Sequence, residues 1–179
     1  MKGYGISSDR KGILAWTTVE RAIRTAPRYW IATTDADGAP HVIQQWGAWV
    51  DGRLYWEGGR TTRWAKNLAR DPRAAATVER AGLAIMLEGP VKFAKPDPAL
   101  ARQIVAGYRA KPYGYVPSPK NWSRGGLPAL APTKIFAWKY TDFGSTATRF
   151  TFSRSATGAV GRGTRRAAPA RRRRSMGNT

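Results

Sequence analysis

Residues 29–57 read YWIATTDADGAPHVIQQWGAWVDGRLYWE, and two turn signals inside this stretch decide its fold. Asp35-Ala36-Asp37-Gly38 and Asp51-Gly52 are residue types that close tight turns: Gly reaches positive φ without steric cost, and Asp accepts hydrogen bonds from the backbone just beyond it. Around them run Tyr29 to Thr34, His41 to Val50 and Arg53 to Glu57, rich in β-branched and aromatic residues that suit a pleated, half-buried surface. The stretch therefore predicts three antiparallel strands in series.

Upstream, Val19, Ala22, Ile23 and Ala26 repeat at helical spacing, and Thr17 with Glu20 forms a capping-box pattern, so a helix is expected from about Leu14 to Ala26, ended by Pro27. Downstream, Gly58-Gly59 precedes a short amphipathic helix from Thr62 to about Arg70, stopped by Asp71-Pro72. Strands are expected at Ala74 to Glu79 and Leu83 to Phe93, and Asp97-Pro98 opens another helix, by cap and first-turn proline, that ends near Tyr108. The Gly- and Pro-rich stretch from Arg109 to Pro132 is too long for a plain connector, and its Tyr113, Tyr115 and Trp122 suit a substrate-facing lid or packing on the barrel. Thr133 to Thr141 and Thr148 to Ser153 close the series as strands. About seven strands with two to three short helices make a mainly β, antiparallel barrel rather than a layered α/β fold.

The chain has 179 residues, 42% hydrophobic and 23% charged, enough to build one core. Its 31 basic and 11 acidic residues give a net charge of +20, of which eight arginines and no acid from Arg154 onward supply +8. We expect residues 1–153 to form the domain and 154–179 to be a disordered basic tail, since the tail has too little apolar surface to order itself. Arg165, Arg166 and Arg171 to Arg174 could touch nucleic-acid phosphates without reading sequence, or simply be solvated. No apolar run is long enough to span a bilayer and no secretory signal opens the chain, so no membrane association and a cytoplasmic address are expected. With no cysteine and His41 as the single histidine, disulfides, thiolate sites and His-rich metal sites are excluded.

No dinucleotide or P-loop motif occurs. His41, at a strand start after Pro40 and without a serine elbow to serve, reads as a half-exposed strand residue, and Asp35, Asp37 and Asp51 read as turn residues bonding locally. What remains is the junction Trp56-Glu57-Gly58-Gly59-Arg60-Thr61-Thr62-Arg63-Trp64-Ala65-Lys66-Asn67-Leu68. Glycines that allow close backbone approach, a helix N-terminus with its N–H groups, the hydroxyls of Thr61 and Thr62 and the charges of Arg63 and Lys66 are the ingredients of a phosphate site. The same spacing also fits a plain amphipathic helix, with Arg63, Lys66, Asn67 and Arg70 on a solvated face and Trp64 and Leu68 buried. In the final strand, Arg149 could reach a phosphate or carboxylate or lie on the surface.

At this junction the chain resembles a family. Asp-Gly-Ala-Pro-His-Val from Asp37, Gly-Ala-Trp-Val-Asp-Gly-Arg-Leu-Tyr from Gly47 and Thr-Thr-Arg-Trp-Ala-Lys-Asn-Leu-Ala-Arg-Asp-Pro-Arg from Thr61 are similar to the pyridoxamine 5′-phosphate oxidase-like split β-barrel proteins. The likeness runs from about Tyr29 to Pro90, and more faintly to Phe136-Ala137-Trp138 and Thr146 to Phe150. It implies a homodimeric split barrel that binds FMN or the deazaflavin coenzyme F-420 in a groove at the subunit interface and transfers hydride to or from a small organic substrate. Gln44, Gln45, Trp46 and Gly47 would then face the ring, Thr61, Thr62, Arg63, Lys66 and Asn67 would take the phosphate, and Trp56 would also belong to the cofactor site. A cofactor-holding protein without catalysis is the alternative. The chain departs from the family pattern at Trp64, where a second basic residue is common, and at Glu57, an acid that would repel phosphate if it pointed inward. Ring-borne hydride chemistry leaves the protein to supply position, shape and electrostatics, which agrees with the missing catalytic triad.

Overall fold

The computed structural model describes residues 12–122 and 125–152, and the backbone of 164–165. Most of the expected tail, 154–179, lies outside the described residues; within it Thr164–Arg165 pairs antiparallel with Phe150 and Thr151.

Helix α1 (Trp16–Thr25) turns Val19, Ala22 and Ile23 inward. Its expected capping box does not form: Ala15 is the N-cap, and Glu20 instead accepts from Trp49 Nε1 at 3.2 Å. Strand β1 (Tyr29–Thr34) alternates buried and outward residues, and the turn after it returns the chain as β2 (Pro40–Gln45) in antiparallel register, Ile31 opposite Ile43. The single strand expected from His41 to Val50 is two. The chain leaves the first sheet at Trp46 and enters a second as β3 (Gly47–Val50), which the Asp51-Gly52 turn joins to β4 (Arg53–Trp56). Almost every residue of β3 and β4 is buried, so this hairpin lacks the alternation of a one-sided strand.

Helix α2 (Arg63–Arg70) follows, then β5 (Arg73–Arg80) and the long β6 (Leu83–Ala94). β6 belongs to both sheets. Its first half pairs with β5 and with β8 (Lys134–Lys139), and after Gly89-Pro90 it pairs with β7 (Leu127–Leu130). A Cβ at Gly89 would lie 2.2 Å from the carbonyl oxygen of Ala131, so the crossing of the two sheets requires glycine there. Helix α3 (Pro98–Arg109) is capped by Asp97, whose carboxylate accepts from the Ala99 and Leu100 N–H groups. The stretch expected to be irregular from Arg109 to Pro132 holds a 3-10 turn, Pro119–Trp122, and β7. Pro128 hid that strand, because proline lacks a ladder donor; the β4 ladder on its other side covers only Ala129 and Leu130. A further short helix, α4 (Phe143–Thr146), precedes β9 (Thr148–Thr151), giving four helices among the described residues where two to three were expected.

The result is a mainly β, antiparallel split barrel. One core lies between the first sheet and helices α1 and α2, built from Tyr29, Ile31, Ile85, Leu87, Ile135 and Phe150 against Val19, Ile23, Trp64 and Leu68. A second joins α3, through Ile104 and Tyr108, to Ala48, Tyr55, Leu127 and Ala129. Among the described residues no helix is long and apolar enough to cross a membrane.

Candidate functional site

Between β4 and α2 the backbone runs through Gly58 and Gly59 and reaches Thr62, the helix N-cap, in extended conformation. The Thr62 hydroxyl donates to the Gly59 carbonyl at 2.8 Å and makes no cap bond, so the first turn of α2 keeps N–H groups that no N-cap side chain satisfies. Thr61, Arg63 and Lys66 are exposed around this end, and Trp64, Ala65 and Leu68 are buried. Asn67 departs from the expected solvated face. It is 5% exposed, and its Nδ2 donates to Thr33 Oγ1 at 3.1 Å and to Asp35 Oδ1 at 2.6 Å.

Asp35 is also more than a turn residue. The local turn is closed by its backbone, the Asp35 N–H donating to the Ala39 carbonyl at 2.8 Å, and by Asp37, whose carboxylate accepts from the Ala39 N–H. The Asp35 carboxylate instead reaches α2 and accepts from Arg63 Nε at 3.1 Å and from Arg63 Nη2. Hydrogen bonds from Arg63 and Asn67 hold its carboxyl down at about 2.

The other expected patch sits where β2 gives way to β3. Gln44 and Trp46 are exposed, Gln45 is half-buried, and Gly47 is buried. A Cβ at Gly47 would lie 2.7 Å from the Tyr55 carbonyl oxygen, so the strand change also depends on glycine. Gly47 stands opposite Trp56 in the β3–β4 register, which brings the Trp46 step beside Glu57 and the start of the junction. Register thus places the first patch beside the strand end that leads into the second. Trp56 itself is fully buried in the first core, tilted against Trp64 with ring centroids 5.9 Å apart, and its Nε1 has no hydrogen-bond partner. Of the ten residues expected at a cofactor site, Trp56 and Asn67 lie inside the protein and Gly47 offers buried backbone; the other seven reach the surface.

Glu57, the acid expected to oppose phosphate, is engaged elsewhere. Its carboxylate accepts from the Tyr115 hydroxyl at 2.7 Å and from Trp122 Nε1, both in the segment after α3. The same segment stacks Tyr113 on Trp46, with ring centroids 4.9 Å apart and planes 13° from parallel. The stretch that suited either a lid or packing on the barrel thus does pack, and it does so against the strand change, leaving Trp46 43% and Tyr115 40% exposed.

Lys111 opens that segment and carried no signal in the sequence. Its ammonium donates to the Gly47 carbonyl at 2.7 Å and to the Tyr29 hydroxyl at 2.8 Å, and burial pushes its pKa down to about 7. The native state then binds fewer protons than the unfolded chain between about pH 7 and an ordinary lysine value near 10.4, so this group makes stability rise with pH across that window. Urea unfolding should show wild type gaining on Lys111→Met by up to about 1.4 kcal/mol per pH unit from pH 7 to 9. Parallel curves for the two proteins would show that Lys111 stays fully charged in the fold.

A depression of about 600 Å³ lies between α1, the β3–β4 turn and α3, with Glu20, Arg24, Asp51, Gln103 and Lys111 in its lining. It contains none of the ten. Arg149 lies half-buried with its guanidinium carbon 4.8 Å from the centre of the Phe136 ring, and its buried Nε has no partner. His41 is a half-buried residue of β2, as expected.

The donor set fits a phosphorylated cofactor in part. The Thr61 hydroxyl, a guanidinium, an ammonium and an uncapped helix turn match a phosphate, and the amides of Gln44 and Gln45 match the polar edge of a ring; the Thr62 hydroxyl and the buried Asn67 amide are already committed.

Comparison with known proteins agrees with this fold. The family model described as pyridoxamine 5′-phosphate oxidase matches residues 16–139. No curated protein matches the chain. Among solved structures, a pyridoxamine 5′-phosphate oxidase-related, FMN binding protein from Nostoc punctiforme is 14% identical, with 86% of this chain and 98% of that one covered and a TM-score of 0.55. An F-420 reductase is 21% identical over 65% of this chain and 94% of its own, with a TM-score of 0.50. A heme binding protein from Mycobacterium smegmatis is 16% identical over 74% of this chain and 55% of its own, with a TM-score of 0.59. At these identities the likeness is one of fold.

Proposed function

This chain belongs to the pyridoxamine 5′-phosphate oxidase family, and from that premise we propose that it is a flavin- or deazaflavin-dependent oxidoreductase that binds FMN or coenzyme F-420. The observation that carries this reading is the start of α2, where Thr61, Thr62, Arg63 and Lys66 surround a helix turn without a side-chain cap. In this reading they hold the phosphate, drawn by the partial positive charge of the helix end. Gln44, Gln45, the exposed ring of Trp46 and the Gly47 backbone border the ring. Such a cofactor would supply hydride transfer, and the chain's own groups supply orientation and exclusion of water. Lys111 and Tyr113 keep the Gly47 step in place, while Tyr115 and Trp122 hold the Glu57 carboxylate on the side of the α3–β7 segment. We favour a flavin-type group over haem because the cationic side chains, the Thr61 hydroxyl and the helix N–H groups suit a phosphate.

Gel filtration of the protein mixed with FMN or with F-420 tests the reading. Visible absorbance co-eluting with protein for one of the two is expected; none for either would overturn it. A small organic substrate that oxidises or reduces the bound cofactor in a turnover assay would separate an enzyme from a cofactor-holding protein.

The reading also includes a homodimer. The outer face of the first sheet carries Trp30, 50% exposed, and Val42, 55% exposed, with half-buried Met86 and Phe136 in the same cross-strand row as Trp30. Large apolar side chains on an outward sheet face, with Thr77 between Trp30 and Met86, suit a subunit interface. Light scattering at micromolar concentration should give twice the 19.7 kDa chain mass, and Trp30→Lys should shift the mass toward the monomer. A wild-type monomer would contradict the dimer.

A further inference from the structure

We propose that Asp35 is the positioning residue of the phosphate anchor, holding the Arg63 guanidinium in a fixed orientation at the start of α2. This rests on the reading of that helix end as a phosphate site, and it assigns a role to a residue of the β1–β2 turn that the sequence marks only as turn-forming.

The geometry is a relay from the interior to the surface. Thr33, 3% exposed on β1, accepts from Asn67 Nδ2 at 3.1 Å; Asn67, 5% exposed on α2, donates to Asp35 Oδ1 at 2.6 Å. Asp35 then takes Arg63 side-on, Oδ1 accepting from Nε at 3.1 Å and Oδ2 from Nη2. The backbone of Asp35 is tied at the turn by its own N–H to Ala39 and by the Gly38 N–H to its carbonyl. Every member before Arg63 is therefore fixed by the fold. A guanidinium carries five N–H donors in a rigid fork, and side-on pairing consumes only one edge of it. The Nη1 amino group and the second Nη2 hydrogen are not engaged by Asp35, and they can meet an anion.

Two effects of Asp35 oppose each other. Its charge partly cancels that of Arg63, but the pair lies at the surface, where water and salt screen the cancellation. Against this, a long side chain gives up rotamer freedom when it grips a ligand, and a guanidinium already oriented gives up less. Orientation is the larger effect for an exposed arginine. A low carboxyl pKa, about 2, keeps Asp35 ionised at any pH where the protein is handled. Asp35 thus acts through Arg63 and not on the cofactor.

The experiment is a double-mutant cycle on cofactor affinity, with FMN and F-420 as the probes, in wild type, Asp35→Asn, Arg63→Ala and the double variant. Asp35→Asn keeps the size of the side chain and an acceptor for Asn67. It is expected to weaken the tighter-binding cofactor about tenfold, and the double variant to bind no more weakly than Arg63→Ala. A change in the 31P shift of the bound cofactor in Asp35→Asn should accompany the loss, which a role in folding alone would not produce. Arg63→Lys supplies a second handle that leaves Asp35 intact: an ammonium keeps the charge but cannot pair side-on, so it should bind the cofactor less well than wild type. Equal or tighter binding by Asp35→Asn, with Arg63→Ala weakened, would overturn the positioning role and leave the phosphate site standing. Wild type binding neither probe, or Arg63→Ala binding as wild type does, would instead remove the phosphate site and this inference with it.

Discussion

Replacing Trp64 by alanine is expected to destabilise the protein by about 3 to 5 kcal/mol, the usual cost of emptying a large aromatic site in a core. Trp64 is 4% exposed and stands in the first core beside Trp56. A Cβ at Gly58 would come within 2.4 Å of its ring, so the glycine before α2 is there to let the ring in. The indole fastens α2 to the barrel and so holds the helix start in place. The position where the family pattern often has a second base is, in this chain, a scaffold position. Urea unfolding with circular dichroism would measure the loss; a cost below about 1 kcal/mol would place the ring outside the core.

Arg63→Ala should do the reverse. With a charge-assisted contact to phosphate worth roughly 1.5 to 3 kcal/mol, cofactor affinity is expected to fall about ten- to a hundredfold. Stability without cofactor should hardly change, because Arg63 is exposed and water screens its ion pair with Asp35. Two adjacent residues therefore separate scaffold from site: one substitution moves the unfolding curve, the other the binding curve.

The strands and helices were legible because turn chemistry and periodicity are local. Asp51-Gly52 and Asp97-Pro98 mark their elements whatever surrounds them. The division of His41 to Val50 was not legible, since the stretch carries no turn signal before Asp51-Gly52 and only the Tyr55 carbonyl packed against Gly47 shows why the chain changes sheets there. Strand β7 was hidden by its proline, and α4 by its brevity. At the site, hydroxyls and charges around Gly58-Gly59 could be read from types and spacing. Asp35 and Lys111 could not, because their partners are distant in sequence: Arg63 and Asn67 for one, Tyr29 and Gly47 for the other. A turn aspartate and a lysine after a helix look ordinary until the fold brings those partners to them. Glu57 was legible as a problem but not as a solution, since its donors Tyr115 and Trp122 come from the segment read as irregular.

Calorimetric titration of wild type and Arg63→Ala with FMN and with F-420, side by side, tests the phosphate anchor most directly. Saturable binding of one cofactor by wild type, weakened ten- to a hundredfold in Arg63→Ala, is the predicted result. Equal affinity in the two proteins, or no heat of binding with either cofactor in wild type, would contradict it.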